Sequence, residues 1–111
     1  MSERERKGTT GPVNLTELVN YSSGAVVSKT LIDRPAGTVT LFAFDAGQGL
    51  SEHSAPFDAL VVVLDGSVEV TIGGTPHRVD SGQAILMPAD VPHALRALDG
   101  PFKVMLVMVK G

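Results

Sequence analysis

The strongest structural signal in this sequence is the stretch GQAILMPADVPH, which runs from Gly82 to His93. It combines a glycine turn, a short apolar strand and a corner that is bounded by Pro88 and Pro92. Proline fixes φ and has no backbone N–H, so it cannot extend a sheet ladder and the chain must bend between these two residues. We therefore predict that His93 leads directly into a new strand over residues 94–97.

A second histidine stands in a similar setting forty residues earlier in the chain. His53 follows a loop that contains Gly47 and Gly49, and it precedes Pro56. Two histidines that each stand where a loop enters a strand are typical of a site at the mouth of a barrel. Either histidine alone would be read as an ordinary polar residue, so the hypothesis rests on the pair.

The composition is that of one ordinary globular domain. The chain has 111 residues, of which 43% are apolar and 19% charged, and it contains no cysteine. Thiol chemistry is therefore excluded, and no oxidising compartment is needed. The net charge is −3 and no lysine or arginine cluster is present, which argues against a nucleic-acid partner.

No targeting or membrane segment is visible. The charged run over residues 1–7 is not followed by the apolar stretch of a signal peptide. The longest apolar run, residues 104–109, is far too short to span a bilayer. We therefore expect a cytoplasmic protein without a membrane partner.

We predict a flexible tail over residues 1–11, because no periodic apolar face is present there, and a single domain over residues 12–111. One short helical turn is expected where Asn14 can cap the backbone, with Glu17 completing a capping box. Val13 would then pack on Leu18 as a hydrophobic staple.

The rest of the chain alternates short apolar segments with turn signals such as Asp65-Gly66 and Gly73-Gly74. No long helical periodicity interrupts this rhythm, which is typical of an all-β sandwich or barrel. Strands are predicted over residues 25–32, 38–45, 59–64, 67–72, 77–79, 84–87, 94–97 and 102–109. The segment 59–64 is apolar on both faces, so we expect it in the interior or at a subunit contact.

With these residues placed, the chain resembles the cupins. Their second motif, a glycine, five residues and Pro-x-Gly-x-x-His, is similar to the stretch from Gly82 to His93, with Asp90 where the family usually has glycine. Their first motif, which ends in Val-Leu-x-Gly, is similar to the stretch from Gly47 to Gly66. The resemblance covers roughly residues 38–109. It implies an all-β, cupin-like jelly-roll β-barrel (double-stranded β-helix), here with one short N-terminal helical turn.

The resemblance also implies a metal site, which in cupins is formed by two histidines and a glutamate of the first motif and the histidine of the second. Here His53 and His93 stand at two of these places, while Ala55 and Ala59 stand where the second histidine and the glutamate are usual. A register one residue shorter puts Asp58 at the carboxylate place. The candidate ligands are therefore His53, His93 and Asp58.

The expected ion is one divalent transition metal (Fe, Mn, Zn, Ni or Cu), and no organic cofactor is expected. Strict strand alternation would point Asp58 away from His53, but Pro56 interrupts the strand between them, so this question stays open. A shared ion requires ring nitrogens of His53 and His93 within roughly 5 Å of each other.

If the barrel is open at one end, apolar side chains should line a pocket there. The candidates are Phe42, Phe44, Phe57, Val61, Met87, Leu95 and Met105, with Val63 and Met108 as further members. For each of them ordinary core packing is the alternative.

The favoured hypothesis is a small cupin that binds a small molecule at the barrel mouth through a reduced two-histidine site. Three alternatives remain: a metal-free, non-enzymatic binding or sensing domain, a metal-dependent oxygenase or isomerase, and a purely structural dimeric module. Whether the chain is an enzyme is left open. A homodimer is expected, because the resemblance implies it and residues 26–32 and 104–109 are apolar on both faces.

Overall fold

The computed structural model describes residues 11–110, so the predicted tail lies outside the described residues except for Gly11. The described part contains a 3₁₀ turn, Leu15–Glu17, followed by nine strands. The strands are β1 (Val26–Arg34), β2 (Gly37–Phe44), β3 (Gly49–His53), β4 (Asp58–Asp65), β5 (Ser67–Ile72), β6 (Thr75–Asp80), β7 (Ala84–Met87), β8 (His93–Ala97) and β9 (Phe102–Val109). Within residues 11–110 no helix has the length and apolar character that a membrane crossing requires.

Two antiparallel sheets form the barrel. One has five strands in the order β1-β2-β9-β4-β7, and the other has four in the order β3-β8-β5-β6. Every pairing between neighbouring strands is antiparallel. The predicted all-β jelly-roll barrel is confirmed.

The core lies between the two sheets and follows from period-two alternation. Along β4, Ala59, Val61 and Val63 are buried, whereas Leu60 between them is exposed on the outer face. On β2 and β9 of the same sheet, the rings of the cross-strand partners Phe44 and Phe102 stack with centroids 4.4 Å apart and planes 9° from parallel. Aromatic rings are the largest apolar groups available to this chain, so this stack anchors the interior.

A smaller apolar cluster covers part of the outer face of the five-stranded sheet. Val19 from the N-terminal segment packs there with Leu41 and Ala43 of β2. The segment is held down by Lys103, whose Nζ donates to the Thr16 carbonyl and lies 4.8 Å from the Tyr21 ring centroid. Cation–π contact lets this ammonium group be buried.

The N-terminal turn forms without the predicted caps. Asn14 precedes the turn but makes no side-chain capping hydrogen bond, and Val13 is 53% exposed rather than stapled. The turn is 3₁₀ and spans three residues, so it presents no N-terminal geometry long enough for a capping box.

Strands β5, β7 and β9 begin and end where the sequence predicts. The missed strand is β3, because Ser51, Glu52 and His53 are polar and exposed and so carry no apolar alternation. It is recruited by pairing with β8 rather than by its own pattern. The proline corner ends one residue earlier than predicted, because β8 starts at His93 itself.

The corner is tightened by Asp90, which has φ 64° and is the one non-glycine residue with positive φ among residues 11–110. Aspartate tolerates this left-handed conformation better than most residues, which explains how it replaces the usual glycine. The Asp90 N–H donates to the Ala55 carbonyl at 2.8 Å. This bond ties the corner before His93 to the loop after His53.

Replacing Phe44 with alanine should lower the free energy of unfolding by about 3–5 kcal/mol, because it removes one ring of the central stack and leaves a cavity. Urea denaturation followed by circular dichroism measures this loss. As a control, Val109→Ala at a 57% exposed position should change stability by less than about 0.5 kcal/mol. Equal effects of the two substitutions would contradict this description of the core.

Candidate functional site

The two histidines meet at one end of the barrel. His53 is the last residue of β3 and His93 is the first residue of β8, and they are direct cross-strand partners. His53 therefore ends a strand, where the sequence suggested that it begins one. The two Nε2 atoms are 3.2 Å apart, and the rings meet edge to face with centroids 4.4 Å apart. This separation lies within the expected limit for ring nitrogens.

The hydrogen bonds of the other ring nitrogens define the tautomers. His53 Nδ1 lies 2.8 Å from the Ser51 carbonyl oxygen, and His93 Nδ1 lies 3.2 Å from that of Val91. A carbonyl oxygen only accepts hydrogen bonds, so each Nδ1 carries the hydrogen. Each Nε2 of a neutral ring therefore presents a lone pair, and these two lone pairs stand 3.2 Å apart.

The environments of the two rings differ. His93 is 5% exposed, whereas His53 is exposed at the mouth. Burial lowers the pKa of His93 below its usual value, the hydrogen bond to Val91 opposes that effect, and the nearby His53 lowers the pKa further. His93 is thus favoured in its neutral form, which can accept a hydrogen bond at Nε2.

A cavity of about 40 Å³ lies beneath the pair. In the described part of the chain, the histidines are the only lining residues with polar side chains. The lining consists of Phe42, Phe44, Leu50, His53, Ala55, Ala59, Val61, Met87, His93, Leu95, Val104, Leu106 and Met108. A cavity needs roughly 10–15 Å³ of such volume to hold one water molecule, so this cavity holds only a few non-hydrogen atoms.

The predicted pocket residues divide into two groups. The cavity is lined by Phe42, Phe44, Val61, Met87 and Leu95, and by the further candidate Met108.

Phe57 and Met105 do not line the cavity. Phe57 lies in the loop before β4 with the Lys110 ammonium 5.8 Å from its ring centroid. Met105 packs with the cluster outside the barrel, because it has the opposite strand parity to Leu106 and Met108. The further candidate Val63 is buried in the core and does not reach the cavity.

Sequence reasoning did not name Leu50, Val104 and Leu106 as lining residues. For the last two a signal was available, since Phe102, Val104, Leu106 and Met108 share one face of β9 by simple alternation. Leu50 lies on β3, whose strand character was not visible in the sequence.

The family model described as Cupin domain matches residues 40–109 of the chain. The chain belongs to the cupin family. The match includes both histidine motifs in full, and it leaves out only β1 and the first three residues of β2 among the strands.

This cupin is similar in sequence to a curated protein. The chain is 32% identical over 73 residues to Protein SchB of Streptomyces halstedii, which covers 65% of the chain and 53% of that protein. The chain thus spans about half the length of this curated relative.

Among solved structures, a conserved protein of unknown function from Streptococcus pyogenes is 40% identical, with TM-score 0.86, over 91% of this chain and 88% of that one. A cupin 2 conserved barrel domain protein from Leptotrichia buccalis is 42% identical, with TM-score 0.85, over 88% of this chain and 47% of that one.

The donors in this cupin do not complete the metal site that its family resemblance implies. Asp58 is exposed at the start of β4, where its Oδ1 accepts the Ala89 N–H at 2.9 Å. In residues 11–110 no group of three or more histidine, cysteine, aspartate or glutamate side chains is arranged to hold a metal ion. The two imidazoles fit a metal ion, because each presents the lone pair of its Nε2 atom. The described residues do not supply the further protein ligands of a complete metal centre.

Stability should fall in acid because of His93. Its pKa in the folded cupin is depressed below the value of about 6.5 for an unfolded histidine, so the unfolded chain binds more protons between those two values. The free energy of unfolding should therefore decrease as the pH is lowered through about 6.5 towards the folded pKa. Urea denaturation between about pH 8 and pH 5 in a chelating buffer measures this slope.

The variant His93→Gln should flatten that slope, because glutamine does not titrate. The matched variant His77→Gln, at an exposed position on β6, should leave it unchanged. The same slope in His93→Gln as in the wild type would show that another group is responsible.

Proposed function

We propose that this cupin binds a small, largely apolar molecule in the barrel cavity and holds one proton-donating group of that molecule on His53 and His93. The supporting observation is the pair of Nε2 atoms 3.2 Å apart above an otherwise apolar cavity. Two neutral imidazoles whose Nδ1 hydrogens are committed to carbonyls can only accept at Nε2. A hydrogen of a hydroxyl or of a neutral amine placed there would relieve the repulsion between the lone pairs.

The surroundings argue against an anionic ligand. Within residues 11–110 no lysine or arginine side chain lines the cavity. Arg96 is the basic residue three positions after His93. Its side chain is exposed and pairs with Glu69 at 3.0 Å on the outer face of the four-stranded sheet. A carboxylate or phosphate would therefore enter an apolar site without a charged partner, which is costly. An alcohol or amine with a short apolar body suits the cavity better.

Binding without chemical conversion is the form of this proposal that the residues support best. An acid–base reaction needs a proton donor as well as a base beside the substrate, whereas both imidazoles present acceptors at Nε2 and the Asp58 carboxylate is occupied by the Ala89 N–H. In the described chain the side chains around the cavity apart from the two imidazoles are apolar. We therefore propose a ligand-binding or sensing role over an oxygenase or isomerase activity.

A divalent metal ion held by the two imidazoles is the second candidate. Two nitrogen ligands about 2.05 Å from a tetrahedral ion lie roughly 3.3 Å apart, close to the 3.2 Å between the two Nε2 atoms. Backbone carbonyls at Nδ1 are also common partners of metal-binding histidines. With water or ligand in the remaining positions, such an ion would be weakly held.

Three probes of equal size test the proposed ligand class: isopropanol donates a hydrogen bond, acetone only accepts, and acetate is an anion. We expect isopropanol to bind with a Kd no lower than roughly 40 μM, because tiny ligands gain at most about 1.5 kcal/mol for each non-hydrogen atom and isopropanol has four. Acetone and acetate should bind about three- to tenfold more weakly, which corresponds to a lost hydrogen bond of about 0.5–1.5 kcal/mol. Chemical shifts of the Met87 and Met108 methyl groups report binding.

The double variant His53→Ala with His93→Ala should reduce isopropanol binding to the level of acetone, because both acceptors are removed, whereas His77→Gln should retain the difference. Equal binding of the three probes by the wild type would refute the proposed ligand class. Repeating the isopropanol titration with zinc sulfate tests the second candidate. Zinc bound to the two imidazoles must displace isopropanol, and the absence of displacement would exclude that ion from the site.

A further inference from the structure

We infer that Ala55 and Ala59 decide which class of ligand this barrel holds. Their methyl side chains leave the space beside the imidazoles open to an organic molecule, and they withhold the donors that would complete a metal centre. The first half of this inference rests on the proposed function, and the second half rests on the geometry of the chain alone.

Both alanines line the same cavity as the histidine pair. Ala59 is 5% exposed on the inner face of β4, where its cross-strand partners are Met87 on β7 and Met108 on β9. Both methionines also line the cavity. A longer side chain at position 59 must therefore extend into the cavity, since the neighbouring strands occupy its flanks.

Ala55 reaches the cavity from the loop between β3 and β4. It is half-buried, and its carbonyl accepts the Asp90 N–H at 2.8 Å. This bond holds the loop against the proline corner that leads into His93. A donor added at position 55 would thus approach the imidazoles from a loop that is already fixed.

The size of the cavity makes the two uses exclusive. Its volume of about 40 Å³ holds only a few non-hydrogen atoms, and the side chains of histidine and glutamate would fill such a space. An imidazole and a carboxylate added there would join the two Nε2 atoms in a four-donor set of the kind that binds zinc or iron tightly. The same change should therefore create a metal site and remove the organic ligand site.

The double variant Ala55→His with Ala59→Glu tests this inference. We expect it to bind zinc sulfate with one ion per chain and at least about 100-fold more tightly than the wild type by calorimetry, as the donor set grows from two to four. Zinc should also raise its melting temperature, because an ion that binds only the folded state stabilises it. Isopropanol should no longer shift the Met87 and Met108 methyl resonances.

A matched control places the same groups one position away. In the variant Ser54→His with Leu60→Glu, both positions are exposed, and Leu60 lies on the outer face of β4. That protein should gain no zinc affinity. Adding His53→Ala to the Ala55→His, Ala59→Glu variant should cost most of the gained affinity, because one of the four donors is removed.

Ala59→Glu places a carboxylate in a buried position, which destabilises the metal-free protein. The single variant Ala55→His avoids this cost and should gain an intermediate zinc affinity through a third imidazole. The inference fails if the wild type binds zinc as tightly as the double variant, or if folded Ala55→His and the folded double variant both gain nothing. Zinc binding by the variants without isopropanol binding by the wild type would instead sink only the proposed function.

Discussion

The antiparallel pairing of β3 with β8 is the constraint on which the site depends. Its register makes His53 and His93 cross-strand partners, although they are forty residues apart in the chain. The side chains of directly opposed residues project to the same face of a sheet, so both imidazoles reach the barrel mouth together. A slip of one residue would turn one ring outward and separate the lone pairs. The Asp90–Ala55 hydrogen bond holds the two flanking loops in this register.

Around this pair, the cupin barrel keeps its fold but lacks two of the donor side chains that the family resemblance implies. Alanine occupies two places where the family resemblance implies donors, and the Asp58 carboxylate is turned to a backbone N–H instead. The cavity is consequently apolar except for two hydrogen-bond acceptors. A site of this composition distinguishes ligands by their size and by whether they donate a hydrogen bond, because no charged side chain among the described residues lines the cavity. Burial of His93 supports the same role, since it favours the neutral ring.

The outer surfaces of the two sheets differ in polarity. The four-stranded sheet carries paired charges such as Arg96 with Glu69, which suit contact with water. The five-stranded sheet carries apolar side chains on both faces. Those on the inner face form the core, and others such as Leu60 and Leu86 are exposed on the outer face. The N-terminal segment covers only part of that outer face, where Lys103 and Tyr21 hold it in place.

The sequence by itself determined the all-β class, the bounds of β5, β7 and β9, and the two histidines of the site. These features are local, because alternation, glycine turns and proline corners act within a few residues. Only the tertiary structure decided that β3 is a strand, that Met108 faces the cavity while Met105 faces out, and that Asp58 binds the Ala89 N–H. Each of these depends on contacts between segments that are distant in the chain. The inward or outward direction of a side chain has meaning only once the opposing sheet is in place.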